Sequence, residues 1–448
     1  MYNKHKPLSH TGTEAFLISG GNMSKQRFET IAIHGGYRPD EKTGATQVPI
    51  YYSNAYEFKD AQHAADLFDL NVGGHIYTRL SNPTVEILEN RIAMLEGGSA
   101  AVAASAGQFA TYMVITALAE HGDNIVASAK LYGGTYNLFT QTFRKLGIEI
   151  RMVDQDDVNA FDAAVDAKTK GIYIESVSNP GSDIPDIEKI AEVAQKHRVP
   201  LIVDNTYTTP YLFRPLEHGA NIVLHSMTKF IGGHGAAMGG IAVDGGNFDW
   251  FASGRFPAFT EPDPSYHGTV YAEKFGNMAL AVKMRAQVLR DVGGCLSPMN
   301  AFMIMNGLET LHLRMPRHCE NAKRLAGWLL SNDKVAWVNY PDLADNRNYQ
   351  AVKKYMPKGS GAMMSFGLKG GLEAGRNFIE NVKIAIHATN LGDARTIVTH
   401  PASTTHRQLS TEQRVKAGIP DELIRVAVGI ENIDDIIEDF EQAMKAVK

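Results

Sequence analysis

Cysteine is nearly absent. The 448-residue chain holds two, Cys295 and Cys319, too few for a disulfide framework or a thiolate metal site. They read as small apolar residues in a reducing compartment. Long apolar runs are missing too, since none reaches the ~18 residues that a membrane span needs. There is no basic surplus: the formal net charge of −5 argues against nucleic acid as the main partner. The apolar run near the N-terminus, Ala15 to Ile18, is short and followed by Gly20-Gly21, so no signal-peptide core is expected. Residues 1–22 read as a loose polar lead-in, with Met23 as a second start. The expected location is the cytoplasm, away from membrane. The 16 histidines include His225, His234, His400 and His406, which would suit a metal-dependent hydrolase. No H-E-x-x-H spacing joins any of them, so no metal site is expected.

What is present is ordinary for a globular protein, with 44% hydrophobic and 21% charged residues. The length exceeds one compact core and predicts two domains or more. Asn82-Pro-Thr84 opens a helix, because Asn82 can cap and Pro83 fits the first turn. From Ala100 onward strand and helix patterns alternate. Strands are predicted at Ala100 to Ser105, Asn124 to Ala127, Glu149 to Val153, Ile172 to Glu175, Leu201 to Val203 and Ile222 to Leu224. Helices are predicted at Phe109 to Glu120, after the loop Leu131 to Thr135 as far as Leu146, at Phe161 to Ala167 and at Ile187 to His197. Such alternation predicts a largely parallel sheet covered by helices, with ligands beyond the carboxyl ends of its strands. Later helices are predicted at Ser297 to Leu313, Arg314 to Leu330 and Ile433 to Val447, and a strand at Ala362 to Leu368.

The stretch Asn221 to Gly235 carries the sharpest signal. A buried strand leads to Ser226, Thr228 and Lys229, then to a glycine cluster that lets the backbone approach a ligand. An amine that forms a Schiff base must be partly deprotonated, and apolar neighbours or other cations lower a lysine's pKa. Asp204, Asn179, Gly107 and Lys229 all fall at or just after strand ends, on one rim. Gly107-Gln108 opens a helix whose amide groups suit an anion. A carboxylate such as Asp204 suits a protonated pyridine nitrogen. If Tyr77-Thr-Arg79 is extended, phenol and guanidinium point to one side and suit a phosphate. The segment 245–275 is rich in aromatics, from Phe248 to Tyr271, and reads as an inserted element that packs on a hydrophobic patch or borders a substrate entrance.

Taken in order, Tyr77-Thr-Arg79, Leu131-Tyr-Gly-Gly134, Asp204 and Ser226-Met-Thr-Lys229 resemble the pyridoxal-phosphate-dependent enzymes of Cys/Met metabolism. The resemblance runs from about residue 25 to the C-terminus. It implies an α/β chain of fold type I, aspartate-aminotransferase-like, with a mostly parallel sheet domain and a smaller C-terminal α/β domain. The implied boundaries are an arm at 1–72, a cofactor-binding domain at 73–308 and a C-terminal domain at 309–448. The implied cofactor is pyridoxal 5'-phosphate, anchored on Lys229, which also moves protons. Asp204 is expected at the pyridine nitrogen, Tyr132 stacked on the ring and Asn179 near its hydroxyl. Gly107, Gln108, Ser226 and Thr228 are expected at the phosphate, joined by Tyr77 and Arg79 of a neighbouring subunit. Arg425 and Asn390 are expected at the substrate carboxylate, and Tyr132 is a second catalytic candidate.

Within the family, the stretches 131–138, 259–268 and 400–409 favour γ-replacement on an acylated homoserine, O-acetyl-L-homoserine first, by sulfide or a small thiol. Methionine γ-lyases of the family carry a cysteine where this chain has Gly134, which disfavours that activity. A cystathionine γ-synthase or γ-lyase would use the same residues and stays open. The expected assembly is a homotetramer, a dimer of dimers with shared active sites.

Overall fold

The computed structural model describes residues 26–447 apart from Pro180 and residues 405–406, 408–411, 413 and 415–417. The lead-in at 1–22, Met23 and His406 lie outside the described residues. A seven-stranded sheet holds β1 (Ala100–Ala104), β2 (Asn124–Ser128), β3 (Glu149–Val153), β4 (Thr169–Glu175), β5 (Leu201–Asp204), β6 (Ile222–Ser226) and β7 (Gly240–Asp244), in the order β1-β7-β6-β5-β4-β2-β3. The run β3-β2-β4-β5-β6 is parallel, and β7 is antiparallel to both β6 and β1. The sequence reading has no strand at β7. Gly239-Gly240 and Gly245-Gly246 bracket it closely, and such pairs read as turns. Its three central side chains are fully buried all the same.

Helices cover both faces, which is why the central strands are apolar throughout. The Pro83–Glu96 helix begins as expected: the Asn82 side chain accepts the N–H groups of Thr84 and Val85 at 3.0 and 3.4 Å. The Gly107–Leu118 helix follows β1, and its N-cap residue Ala106 supplies no side-chain acceptor. Helix Val158–Ala164 starts three residues before Phe161, because the Asp157 side chain caps it. The predicted helix pair after Ser297 is Pro298–Glu309 and Leu311–Leu330, broken at Thr310.

A second sheet holds β8 (Val335–Asn339), β9 (Met363–Leu368), β10 (Ile386–His387), β11 (Ile397–Thr399) and β12 (Leu423–Ala427), in the order β10-β11-β12-β9-β8. One apolar core runs from Ile31 through Val223 and Leu325 to Val447, and so joins the two sheets. One departure stands out. Tyr77 makes a single bridge to Ala55, and Thr78 and Arg79 enter a turn, so the stretch is not extended. Of the two readings of the aromatic segment the structure shows packing: Trp250 stacks on Phe259 at 4.0 Å and 4°, with Phe248 and Phe256 edge-on around them.

Candidate active site

The carboxyl ends of β4, β5 and β6 form one rim, as the topology rule requires. In-register pairing sets Glu175 beside Asp204, and Asp204 beside Leu224. Ser226 ends β6, and the chain turns at once to Lys229, whose N–H bonds the Ser226 carbonyl. Thr206 ties the two strand ends together. Its N–H donates to Asp204 Oδ1 at 3.0 Å, and its hydroxyl accepts the Ser226 N–H at 2.7 Å. Sequence reading passed over Thr206, because a threonine two residues beyond a strand carries no pattern of its own.

Lys229 is part-buried, and Nζ donates to Asn390 Oδ1 at 2.6 Å. The contact depends on Gly392. That residue sits at φ +71°, and a Cβ there would lie 2.5 Å from the Phe230 nitrogen. The Asn390 loop can press onto the lysine turn only because position 392 has no side chain. Burial lowers the Lys229 pKa, and the charge of Arg425 lowers it further. Arg425 lies on β12 of the second sheet. It donates to the Asn390 carbonyl at 3.2 Å and to Asn179 Oδ1 at 3.5 Å. Two long contacts leave most of its five donors uncommitted among the described residues, which suits a planar carboxylate. Lys229, Asn390, Arg425 and Asn179 are therefore one connected cluster.

Asp204 accepts from Thr206 and, at 3.4 Å, from the Tyr173 hydroxyl. Burial raises its pKa, against those hydrogen bonds and the His225 charge. A carboxyl in that setting suits a cationic nitrogen better than bare solvent-free space. Tyr132 is half exposed. Its backbone N–H donates to Glu175 Oε1 at 2.7 Å, and its ring crowds Gly134, where a Cβ would lie 2.5 Å from the ring edge.

Gly107 packs on Ser226: a Cβ at 107 would lie 2.7 Å from the serine Cβ. The uncapped start of the Gly107–Leu118 helix thus faces the end of β6, a cradle for an anion. Gln108 Nε2 donates to Thr135. The Thr228 hydroxyl exchanges hydrogen bonds with the backbone of Gly239 at 3.1 and 3.2 Å, so it braces the turn before it can serve a ligand. Tyr77 and Arg79 do not join the cluster within one chain. They lie exposed, with the guanidinium 5.4 Å over the phenol ring.

The donor set fits a flat, phosphorylated pyridine: an amine with lowered pKa, a buried carboxyl, a phenol, an uncapped helix start and an uncommitted guanidinium. The histidines point elsewhere. His225 pairs with buried Glu96, His400 bonds Ser403 and the Asp421 carbonyl, and His234 bonds its own turn at Gly232. Among the described residues no three His, Cys, Asp or Glu side chains are arranged to hold a metal ion. No helix among them is long and apolar enough to cross a membrane.

Comparison with known proteins gives the same picture. The family described as "Cys/Met metabolism PLP-dependent enzyme" matches residues 29–445. The homocysteine synthase of Schizosaccharomyces pombe is 50% identical over 425 residues, covering 94% of this chain and 99% of its own. The O-acetyl-L-homoserine sulfhydrylase of Leptospira meyeri is 48% identical over 439 residues, 96% of this chain and 99% of its own. Among solved structures, a protein described as an O-acetylhomoserine (thiol)-lyase of Campylobacter jejuni has a TM-score of 0.90 at 39% identity. It spans 94% of this chain and 100% of its own, and holds N'-pyridoxyl-lysine-5'-monophosphate. MetB of Corynebacterium glutamicum follows at TM-score 0.80 and 33% identity, over 95% of this chain and 100% of its own. The fold is that of the type I pyridoxal-phosphate enzymes, and the chain belongs to the pyridoxal-phosphate-dependent enzymes of cysteine and methionine metabolism.

Proposed function

We propose that this enzyme replaces the acetyl group of O-acetyl-L-homoserine with sulfide, giving L-homocysteine and acetate, and that a small thiol can take the place of sulfide. The observation that carries the reading is the cluster Lys229–Asn390–Arg425–Asn179. It sets an amine with lowered pKa beside a carboxylate-binding guanidinium, in a chain about half identical to a homocysteine synthase along nearly its whole length.

Pyridoxal phosphate, when bound, supplies an aldehyde carbon for the substrate amine and a protonated ring that withdraws the electron pair left at the α-carbon. Asp204 keeps the ring nitrogen protonated, and Tyr132 covers the ring face. Gly107, Gln108, Ser226 and Thr228 hold the phosphate. Arg425, braced by Asn390 and Asn179, grips the α-carboxylate and so aims the α-hydrogen at Lys229. Lys229 Nζ, which carries one proton at a time, would take the α-proton, set it down on the cofactor side of the substrate and, neutral again, take a β-proton as acetate leaves the γ-carbon. Sulfide adds at that carbon, and Lys229 returns the protons. Acid–base help of this kind is worth ~10²–10⁴-fold. The Tyr132 phenol stands ready for proton transfer at the leaving group.

The same reading makes the active site shared between subunits. Tyr77 and Arg79, exposed on one chain, complete the phosphate cradle of a neighbour in a homotetramer built as a dimer of dimers. Other large apolar side chains are exposed as well, Tyr52 at 76% and Met238 at 58%, and subunit contact would cover them. Dilution to monomers then releases cofactor. The chain divides into arm, cofactor-binding and C-terminal parts at about residues 72 and 308. A cytoplasmic location agrees with its two free cysteines.

The test is turnover of O-acetyl-L-homoserine with sulfide, against O-succinyl-L-homoserine and against cysteine as donor. Homocysteine and acetate are expected. Cystathionine as the main product would make it a cystathionine γ-synthase, and 2-oxobutanoate from methionine would make it a γ-lyase.

A further inference from the structure

Glu175 is a buried acid that the mechanism above does not use. It ends β4, where the sequence alternation puts it on the same face as Tyr173, two residues earlier. The Tyr173 hydroxyl bonds Asp204, and Asp204 is in register with Glu175 on the adjacent strand. Neighbouring parallel strands run about 4.8 Å apart, so the two carboxyls are near neighbours on the ring side of the sheet. Glu175 is 5% exposed. Its Oε1 accepts the N–H of Tyr132, the residue that opens the Gly133–Asn137 helix.

Two neighbouring carboxyls on adjacent strand ends, one buried and one part-buried, cannot both ionise cheaply. The surroundings decide which one does. Asp204 has the Thr206 side chain and N–H, the Tyr173 hydroxyl and the His225 charge in support of its ionised form. Glu175 has the Tyr132 N–H alone, and no cation offsets its burial among the described residues; burial first, then the Asp204 charge, hold its pKa well above the usual carboxylate range. Lys130, nearby in sequence, is engaged by Asp156 and Asp183.

We propose that Glu175 is a positioning residue for the cofactor ring, carried as the neutral acid: it fixes Tyr132 through the backbone N–H and leaves Asp204 as the ionised member of the pair. The proposal rests on the reading of Tyr132 and Asp204 as ring contacts. It adds that the stacking phenol and the ring-nitrogen partner are set by one shared residue. A strand-end glutamate after Ile172-Tyr-Ile174 is as strong a sequence signal as Asp204 after Leu201-Ile-Val203, and it was missed.

Glu175→Gln is the discriminating variant, because an amide copies the neutral acid in shape and still accepts from Tyr132. Glu175→Ala removes both functions. Two readouts besides turnover apply: affinity for pyridoxal phosphate with the visible circular dichroism of the bound cofactor, and the melting temperature of the cofactor-free protein against pH. The glutamine variant is expected to bind within about threefold of wild type with unchanged dichroism. The alanine variant is expected to bind about tenfold more weakly or worse, with altered dichroism, as for loss of a buried hydrogen bond.

For the cofactor-free protein the sign follows from a raised pKa. Below the unfolded value the native acid costs nothing, and its penalty grows as pH rises towards the folded value. The other ionisable side chains that face it, on β5, on β4 and at Tyr132, are present in both proteins. The melting temperature of Glu175→Gln should therefore gain on wild type between about pH 5 and 8. A glutamine variant as weak as alanine would overturn the neutral-acid assignment, and an alanine variant indistinguishable from wild type would overturn the positioning role. If alanine fails to fold, the glutamine arm decides alone. Failure of wild type to take up pyridoxal phosphate would sink the proposed function as well, whereas normal uptake with no difference among variants sinks only this inference.

Discussion

Two lysines, one buried and one part-buried, show how this chain separates a reactive amine from a structural one. Lys283 lies in the aromatic segment's core, 4.9 Å over the Tyr271 ring and 5.3 Å over Phe259, with Asp263 at 4.0 Å and Gln287 accepting from it. Lys229 lies on the sheet rim, where Nζ makes one hydrogen bond among the described residues, to Asn390. Burial lowers the pKa of both. The second influence then parts them. Asp263 pulls Lys283 back up, whereas Arg425 pushes Lys229 further down. Desolvation alone makes a lysine costly; desolvation with a neighbouring cation makes it a base at moderate pH.

The widest gap should open on removing each amine. Lys229→Met is expected to cut turnover by ~10³-fold or more and to abolish covalent retention of the cofactor after borohydride reduction, denaturation and gel filtration. Lys283→Met should change turnover less than about threefold and lower stability by about 1–3 kcal/mol, as its polar partners lose a donor. Equal losses in the two assays would erase the distinction. The cofactor-free protein gives a second check. A lysine whose folded pKa is depressed contributes full stability only above the unfolded value of about 10.4, and that contribution is lost as pH falls towards the folded value. Cofactor-free Lys229→Met should therefore melt above wild type near pH 7, with the gain shrinking towards pH 10.

A matching pair of arginines sharpens the contrast. Arg314 donates to the carbonyls of Phe230, Ile231 and Gly307, and clamps the turn just after Lys229. Burial brings its pKa down to about 10. Arg425 makes two long contacts among the described residues. Arg425→Ala should raise KM for the amino acid by about 30-fold or more, the scale of a lost buried charge pair, with little change in melting temperature. Arg314→Met should show the reverse, a loss of about 2–4 kcal/mol in stability with KM for the surviving folded enzyme nearly unchanged. Steady-state kinetics beside thermal melts read both.

The rim was legible in the sequence because it depends on strand ends. Apolar runs stop at Glu175, Asp204 and Ser226, and the parallel-sheet rule puts their ends together. Most strands of the large sheet fell within a residue or two of their predicted bounds for the same reason. What stayed hidden has a physical cause in each case. β7 is short and bracketed by glycines. Thr206 acts through its N–H and hydroxyl after the strand, where no periodicity exists. The small second sheet has strands of two and three residues at β10 and β11, too short for alternation to register. The aromatic segment reads equally as a packed element or an entrance border because composition does not reveal satisfaction. Its rings stack on one another and on Lys283, and Phe259 is fully buried. Phe259→Ala should accordingly cost about 3–5 kcal/mol of stability and leave the absorbance of the bound cofactor as it is.

The smallest effect expected is at Gly134, and it tests the rim at its most exposed point. A Cβ there would meet Tyr132 Cε1 at 2.5 Å and Gln108 Nε2 at 3.2 Å. Both are side chains with room to move, since the Tyr132 ring is half exposed. Gly134→Cys should therefore fold normally and tilt the Tyr132 ring rather than break the helix start. Because Glu175 holds the Tyr132 backbone and not its ring, the shift should stay local. The expected result is a fall of about two- to tenfold in the replacement reaction, the scale of a slightly misplaced catalytic contact, with cofactor affinity nearly unchanged and a measurable rise in 2-oxobutanoate relative to homocysteine. An unchanged product ratio would mean that the ring's position does not steer the choice between replacement and elimination, and that the rim tolerates what the packed aromatic core cannot.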